Sequence, residues 1–181
     1  MTEVWLAPNH RVLALATLPV GILGGLSAAI LASNAPTAVR LLAAGMLIVS
    51  FLLAIGLWLH WLRPRIAYRD GEVLFFLRAR TPIAVPVEVV EAFFLGQGPA
   101  YLPVASSKAE TCNLVARLSQ SATQWAHQEV KPALGHWCDG YVTIRGTWCE
   151  PLTGAVIRRL NRRLREVSQR ESHVEPSEAR E

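Results

Sequence analysis

From Val12 to Val39 the chain carries no Asp, Glu, Lys or Arg, and after Arg40 the uncharged run resumes from Leu41 to Leu62. Each half offers about 22 apolar residues, and a helix needs about 20 to cross a hydrocarbon core of about 30 Å. Asn34-Ala35-Pro36-Thr37 lies between the halves. Asn and Pro stop the first helix, and Thr37 or Asn34 is placed to cap the second. The pattern predicts a transmembrane helical hairpin over residues 12–62. A signal peptide is the rival, because Ser33-Asn34-Ala35 imitates a small-residue cleavage site. Against it, the apolar run exceeds the usual length of such a segment, and Pro36 would follow the cut directly.

Small residues mark both spans. Gly21 and Gly25 stand in GxxxG spacing with Ala28 continuing the face, and Ala43, Ala44, Gly45, Ser50, Ala54 and Gly56 answer on the second span. Such residues let backbones approach closely in lipid. Gly21 and Gly25 therefore serve helix packing, either within the hairpin or in a homodimer. Trp58, His60 and Trp61 end the second span as an interfacial belt, followed by Arg63 and Arg65. Neither span holds a second ionisable group to pair with His60, which argues against a transporter or channel. His10 and Arg11 precede the first span, Arg63, Arg65 and Arg69 follow the second, and only Arg40 lies in the connection. The positive-inside bias then places both termini in the cytoplasm, with the protein integral to the inner membrane.

The remaining residues supply one small domain. Residues 1–11 read as an amphipathic lead-in, with Trp5 suited to the headgroup layer. In residues 63–168, Ile66–Leu77 reads as strand, Asp70-Gly71 turn, strand. Pro82 and Pro86 bracket an edge strand, and 87–95, 111–118 and 141–148 are further strands. Residues 96–110 read as a long loop, and the stretch around Trp125 as a helical turn. Val156, Leu160, Leu164 and Val167 then share one face of a helix beginning near Pro151, with Arg158, Arg159, Arg162, Arg163 and Arg165 over the rest. Residues 169–181 read as a disordered acidic tail. Its last 11 residues hold four Glu against one Arg, so the net charge of +4 conceals a basic body.

Strands closed by one amphipathic helix, directly after a two-span hairpin, resemble the small bacterial membrane proteins that carry a pleckstrin-homology-like (PH-like) domain. The resemblance covers roughly residues 10–168. It is carried by Ile66-Ala-Tyr-Arg-Asp-Gly-Glu-Val73 after the second span and by Ile83-Ala-Val-Pro-Val-Glu-Val-Val90. It implies an α+β domain, a small β-barrel or sandwich capped by the C-terminal helix, acting as a binding or scaffold module with no catalytic residues and no cofactor.

Chemistry-bearing residues are few. His127, His136, Cys138 and Cys149 do not show the paired spacing of zinc ligands, so no metal is expected from sequence. Three cysteines, Cys112, Cys138 and Cys149, cannot all pair within one chain, and they read as free core residues. No GxSxG, HExxH or P-loop pattern occurs. The basic residues Arg63, Arg65, Arg158, Arg159, Arg162 and Arg163 are the candidate contacts for anionic lipid or a protein partner, with the helix also capping the barrel; nucleic acid is not expected. The expected function is membrane-anchored binding or scaffolding toward another membrane or cytoplasmic protein. The alternatives are an enzyme with a site in residues 96–138, or a structural subunit acting through the hairpin.

Overall fold

The computed structural model describes residues 2–78, 80–99 and 110–178. Two compact units emerge: Pro8–Arg63, and Met1–Ala7 together with Pro64–Glu181.

The first unit is a helical hairpin, α1 (His10–Ala32) and α2 (Thr37–Leu62). Asn9 starts α1, its side-chain oxygen accepting from the backbone N–H groups of Arg11 at 3.2 Å and Val12 at 3.4 Å. No side chain caps α2; Pro36 holds the capping position, so Thr37 and Asn34 do not take the role expected of them. The helices meet through Ser50, whose hydroxyl donates to the Val20 carbonyl across the pair at 2.8 Å. Away from that seam the apolar side chains point outward, Leu41 being 69% and Leu42 72% exposed. The core helix of a soluble protein buries such residues, whereas a membrane span leaves them for lipid. Both helices are long and apolar enough to cross a bilayer.

The second unit is an α+β sandwich-like domain of two antiparallel four-stranded sheets and one helix. The first sheet orders β1 (Glu3–Leu6), β2 (Ile66–Arg69), β3 (Glu72–Phe75) and β4 (Ile83–Pro86) as β1-β2-β3-β4. The second orders β5 (Val90–Pro99), β6 (Glu110–Leu118), β8 (Tyr141–Ile144) and β7 (Gly135–Cys138) as β5-β6-β8-β7. Two tight hairpins set the registers. Asp70 and Gly71 have φ of 49° and 83°, and Asp139 and Gly140 have 51° and 75°. Positive φ at both central residues matches the right-handed strand twist, and Asp-Gly adopts it at little cost.

Strand β1 overturns the reading of residues 1–11 as a lead-in. Glu3 pairs with Tyr68 and Leu6 with Ile66. Trp5 is 1% exposed, stacked on Tyr68 with ring centroids 5.4 Å apart, and is a core residue of this unit instead of a headgroup anchor. The hairpin is thus inserted between two neighbouring strands of one sheet.

The loop expected over 96–110 is also corrected. β5 runs to Pro99 and β6 begins at Glu110, the two paired along their length, while residues 100–109 lie outside the described residues. On β6, β8 pairs with Leu114–Arg117 alone, so β5 and β6 extend past it as a two-stranded ribbon. Gly96 and Gly98 belong there because Val115 and Asn113 side chains occupy the space a Cβ would take.

Helix α3 (Gly154–Glu178) buries Val156, Leu160, Leu164 and Val167 in the common core, as the spacing predicts. It continues past Val167 over part of the stretch read as a disordered tail. Gln169, Arg170 and Glu171 are good helix formers, and Glu171 accepts a hydrogen bond from the Tyr68 hydroxyl at 3.0 Å. Asn161 on α3 closes an open sheet edge. Its side-chain amide accepts from the Phe93 N–H and donates to the Phe93 carbonyl, both at 2.8 Å, supplying edge strand β5 with the partner it lacks. Asn161→Leu keeps the branched shape and removes both bonds. We expect a loss of about 2 kcal/mol, read as a fall of several degrees in the melting temperature of the sheet domain.

Candidate functional site

The arginines singled out by sequence separate into two groups. Arg65 is 3% exposed, and its Nε donates to the Trp148 carbonyl at 3.0 Å. Burial lowers its pKa, opposed by the neighbouring Cys149. It is an internal strut and is withdrawn from the surface contacts expected for it. Arg159 and Arg163 are half-buried and turned onto β1. Arg163 donates to the Val4 carbonyl at 2.8 Å and pairs with Glu3 at 3.3 Å. Arg159 donates to the Trp5 carbonyl at 3.4 Å and to Glu150 at 2.5 Å. Glu150 in turn accepts from the Ala7 N–H at 3.3 Å. These two arginines blunt the outer edge of the first sheet, where exposed strand groups would otherwise be open to pairing.

Arg158, Arg162 and Arg165 remain on the exposed face of α3. Arg162 lies 4.0 Å from Glu166 one turn on, and Arg165 donates to the Asn161 carbonyl at 3.3 Å. Exposed pairs of this kind contribute little to stability and leave the guanidinium accessible. Arg63, at the end of α2, belongs to the helical unit.

No family model, no curated protein and no solved structure matches this chain. The site is therefore argued from its own geometry.

The four residues compared with zinc-ligand spacing, His127, His136, Cys138 and Cys149, do not assemble as a set. Cys149 is fully buried, its thiol donating to the Arg145 carbonyl at 3.4 Å. Of the three cysteines, it alone fits the expected core role; Cys138 is half-buried and Cys112 exposed. His136 is exposed on β7. His127 and Cys138 do meet, joined by Asp139, with one donor atom of each within 4.8 Å of the others. Two contacts hold the 3₁₀ turn Thr123–Trp125 and its successor against the β7–β8 hairpin. The Trp137 indole N–H donates to the Trp125 carbonyl at 2.7 Å, and the Gly140 N–H donates to the Ala126 carbonyl at 3.2 Å. Arg78 fixes the next residues, donating to the Glu129 carbonyl at 2.9 Å and to Gln128 at 3.0 Å. The Cys138 thiol donates to Asp139 at 3.3 Å, and this hydrogen bond raises its pKa. A thiol held protonated is a poor nucleophile at neutral pH.

Burial pushes the Cys149 thiol up to about 12, from an ordinary 9.0. Its neutral form is favoured in the folded state, so the folded protein retains a proton there that the unfolded chain releases. The stabilisation is complete below about pH 9 and is lost as pH rises toward about 12. Thermal unfolding across that window should show a steeper alkaline loss of stability for the native sequence than for Cys149→Ala.

Within the helical unit, Gly24 forms the close seam, with Ser50 Oγ 2.9 Å from where its Cβ would stand. Gly21 and Gly25 have nothing within 4 Å of that position and line an apolar groove with Thr17, Phe51 and Trp58. Packing within the hairpin therefore uses Gly24 in place of the GxxxG pair.

Proposed function

We propose that this chain is a membrane-anchored binding or scaffold module. In this reading the sheet domain is PH-like and stands at the cytoplasmic face of the inner membrane. The observation that carries it is the insertion of the two apolar helices between β1 and β2. Adjacent antiparallel strands receive both ends of the hairpin, so a folded sheet domain requires both flanks on one side of the bilayer. The arginine excess on those flanks favours the cytoplasmic side. Cleavage after Ala35 would remove β1 and with it Trp5 and Leu6 from the core, which favours retention of the first span.

Arg158, Arg162, Arg165 and Arg170 are exposed cations of the head's helix. Anionic headgroups attract such residues by about 1 kcal/mol each near the surface, and acidic protein surfaces meet the same fork geometry. Photo-crosslinkers placed at Arg158 and Arg162 in native membranes test the proposal. Capture of one defined protein, or of anionic phospholipid, at these positions supports a binding head. Crosslinks that arise only from residues 12–62 would transfer the function to the hairpin as a structural subunit of a larger complex.

A further inference from the structure

His127, Cys138 and Asp139 present three different donor atoms at one exposed corner, within 4.8 Å of one another. We propose that this corner binds a divalent ion of the zinc class, through a ring nitrogen of His127, Cys138 Sγ and an Asp139 carboxylate oxygen, with a fourth position open to water. Tetrahedral zinc holds such ligands at about 2.0–2.3 Å, which places the donors roughly 3.3–3.8 Å apart. At most about 1.5 Å of movement by surface side chains closes the difference. The donor set is selective by type: thiolate and imidazole favour zinc over magnesium and calcium, which take oxygen ligands. Binding replaces the thiol proton, which passes to solvent, so Cys–S⁻ and Asp⁻ neutralise the two positive charges of the ion.

A second observation concerns the imidazole. His127 Nδ1 lies 3.1 Å from the Ala126 carbonyl. Donation of Nδ1–H to that oxygen leaves the Nε2 lone pair free for a metal, and a backbone carbonyl commonly orients a ligating histidine in this way. The same carbonyl accepts from the Gly140 N–H, so one atom positions both sides of the corner. The ligands are thus supported by backbone on two separate segments. The sequence spacing conceals this, because Asp139 replaces His136 and Cys149 in the set.

The full-length protein in detergent, reduced and stripped with a chelator, is titrated with Co²⁺, whose thiolate charge-transfer absorption reports sulfur ligation. One equivalent should produce the band, and Zn²⁺ should abolish it. The band should persist in Cys112→Ser and vanish in Cys138→Ser. His127→Gln and Asp139→Asn should each weaken binding by more than about tenfold. Asn tolerates the positive φ at position 139, so Asp139→Asn tests the carboxylate with the turn preserved, and circular dichroism without metal confirms the fold of each variant. No band in the native sequence overturns the proposal. So does a band that follows Cys112, or affinity unchanged in both His127→Gln and Asp139→Asn.

Discussion

A chain cut down to residues 64–181 will fail to hold the sheet domain folded, whereas residues 1–7 joined to residue 64 by a short turn will restore it. The cause is β1. Trp5 and Leu6 are 1% and 0% exposed in the core, and Trp5 packs on both Tyr68 and Phe93. Truncating a buried Trp costs about 3–5 kcal/mol and a buried Leu about 2–5, against a total domain stability of about 5–15. Removing the strand also strips Arg159 and Arg163 of the carbonyls they bind and leaves the Arg65 N–H without Leu6, its partner at 2.8 Å. The joined form is geometrically simple because β1 and β2 are antiparallel neighbours, which a turn of two to five residues connects. Circular dichroism and cooperative thermal unfolding of the two soluble proteins distinguish the outcomes. A cooperatively folded 64–181 fragment would mean that β1 is dispensable.

Gly146→Ala should destabilise the sheet domain by roughly 3 kcal/mol, among the larger effects of adding a single methyl group. Gly146 opens the 3₁₀ turn Gly146–Trp148, which lies against β6, and a Cβ there would overlap the Cys112 carbonyl. The obstacle is backbone, with the Asn113 side chain also binding the Gly146 N–H at 3.2 Å, so rotamer changes cannot relieve it. Gly21→Ala is the contrasting change. Nothing stands within 4 Å of its Cβ position, and Ala is the better helix former, so the hairpin should tolerate it. Thermal unfolding of both variants, monitored by loss of tryptophan environment, gives the comparison. Equal melting temperatures for Gly146→Ala and the native protein would refute the crowding.

The parts of this fold visible in the sequence are those with long or strongly typed signals. Two spans, the Asp70-Gly71 hairpin turn and the Val156–Val167 helical face each rest on a pattern carried by neighbouring residues. Strand β1 offered only Val-Trp-Leu before a proline, and its partner Ile66–Arg69 lies beyond the whole hairpin, so no local period disclosed it. β7 was missed for a related reason: Gly-His-Trp-Cys is too short to show alternation, although the Asp139-Gly140 turn required an arm on each side. The sorting of the arginines depended on β1 as well. Arg159 and Arg163 differ from Arg158 and Arg162 only by facing an edge strand that the sequence did not reveal. The His127–Cys138–Asp139 corner depends on hydrogen bonds to Trp125 and Ala126, which no ligand spacing records.

Sidedness of single cysteines in spheroplasts gives the most direct test of the inserted hairpin. In a background with the native cysteines removed, the positions to compare are Thr2→Cys, Asn34→Cys between the helices, and a restored Cys112, which is exposed. A membrane-impermeant maleimide should modify residue 34 from outside, and residues 2 and 112 only after the membrane is opened. Residues 2 and 112 reacting from opposite sides would contradict a sheet domain closed by β1, and both reacting from outside would contradict its cytoplasmic placement.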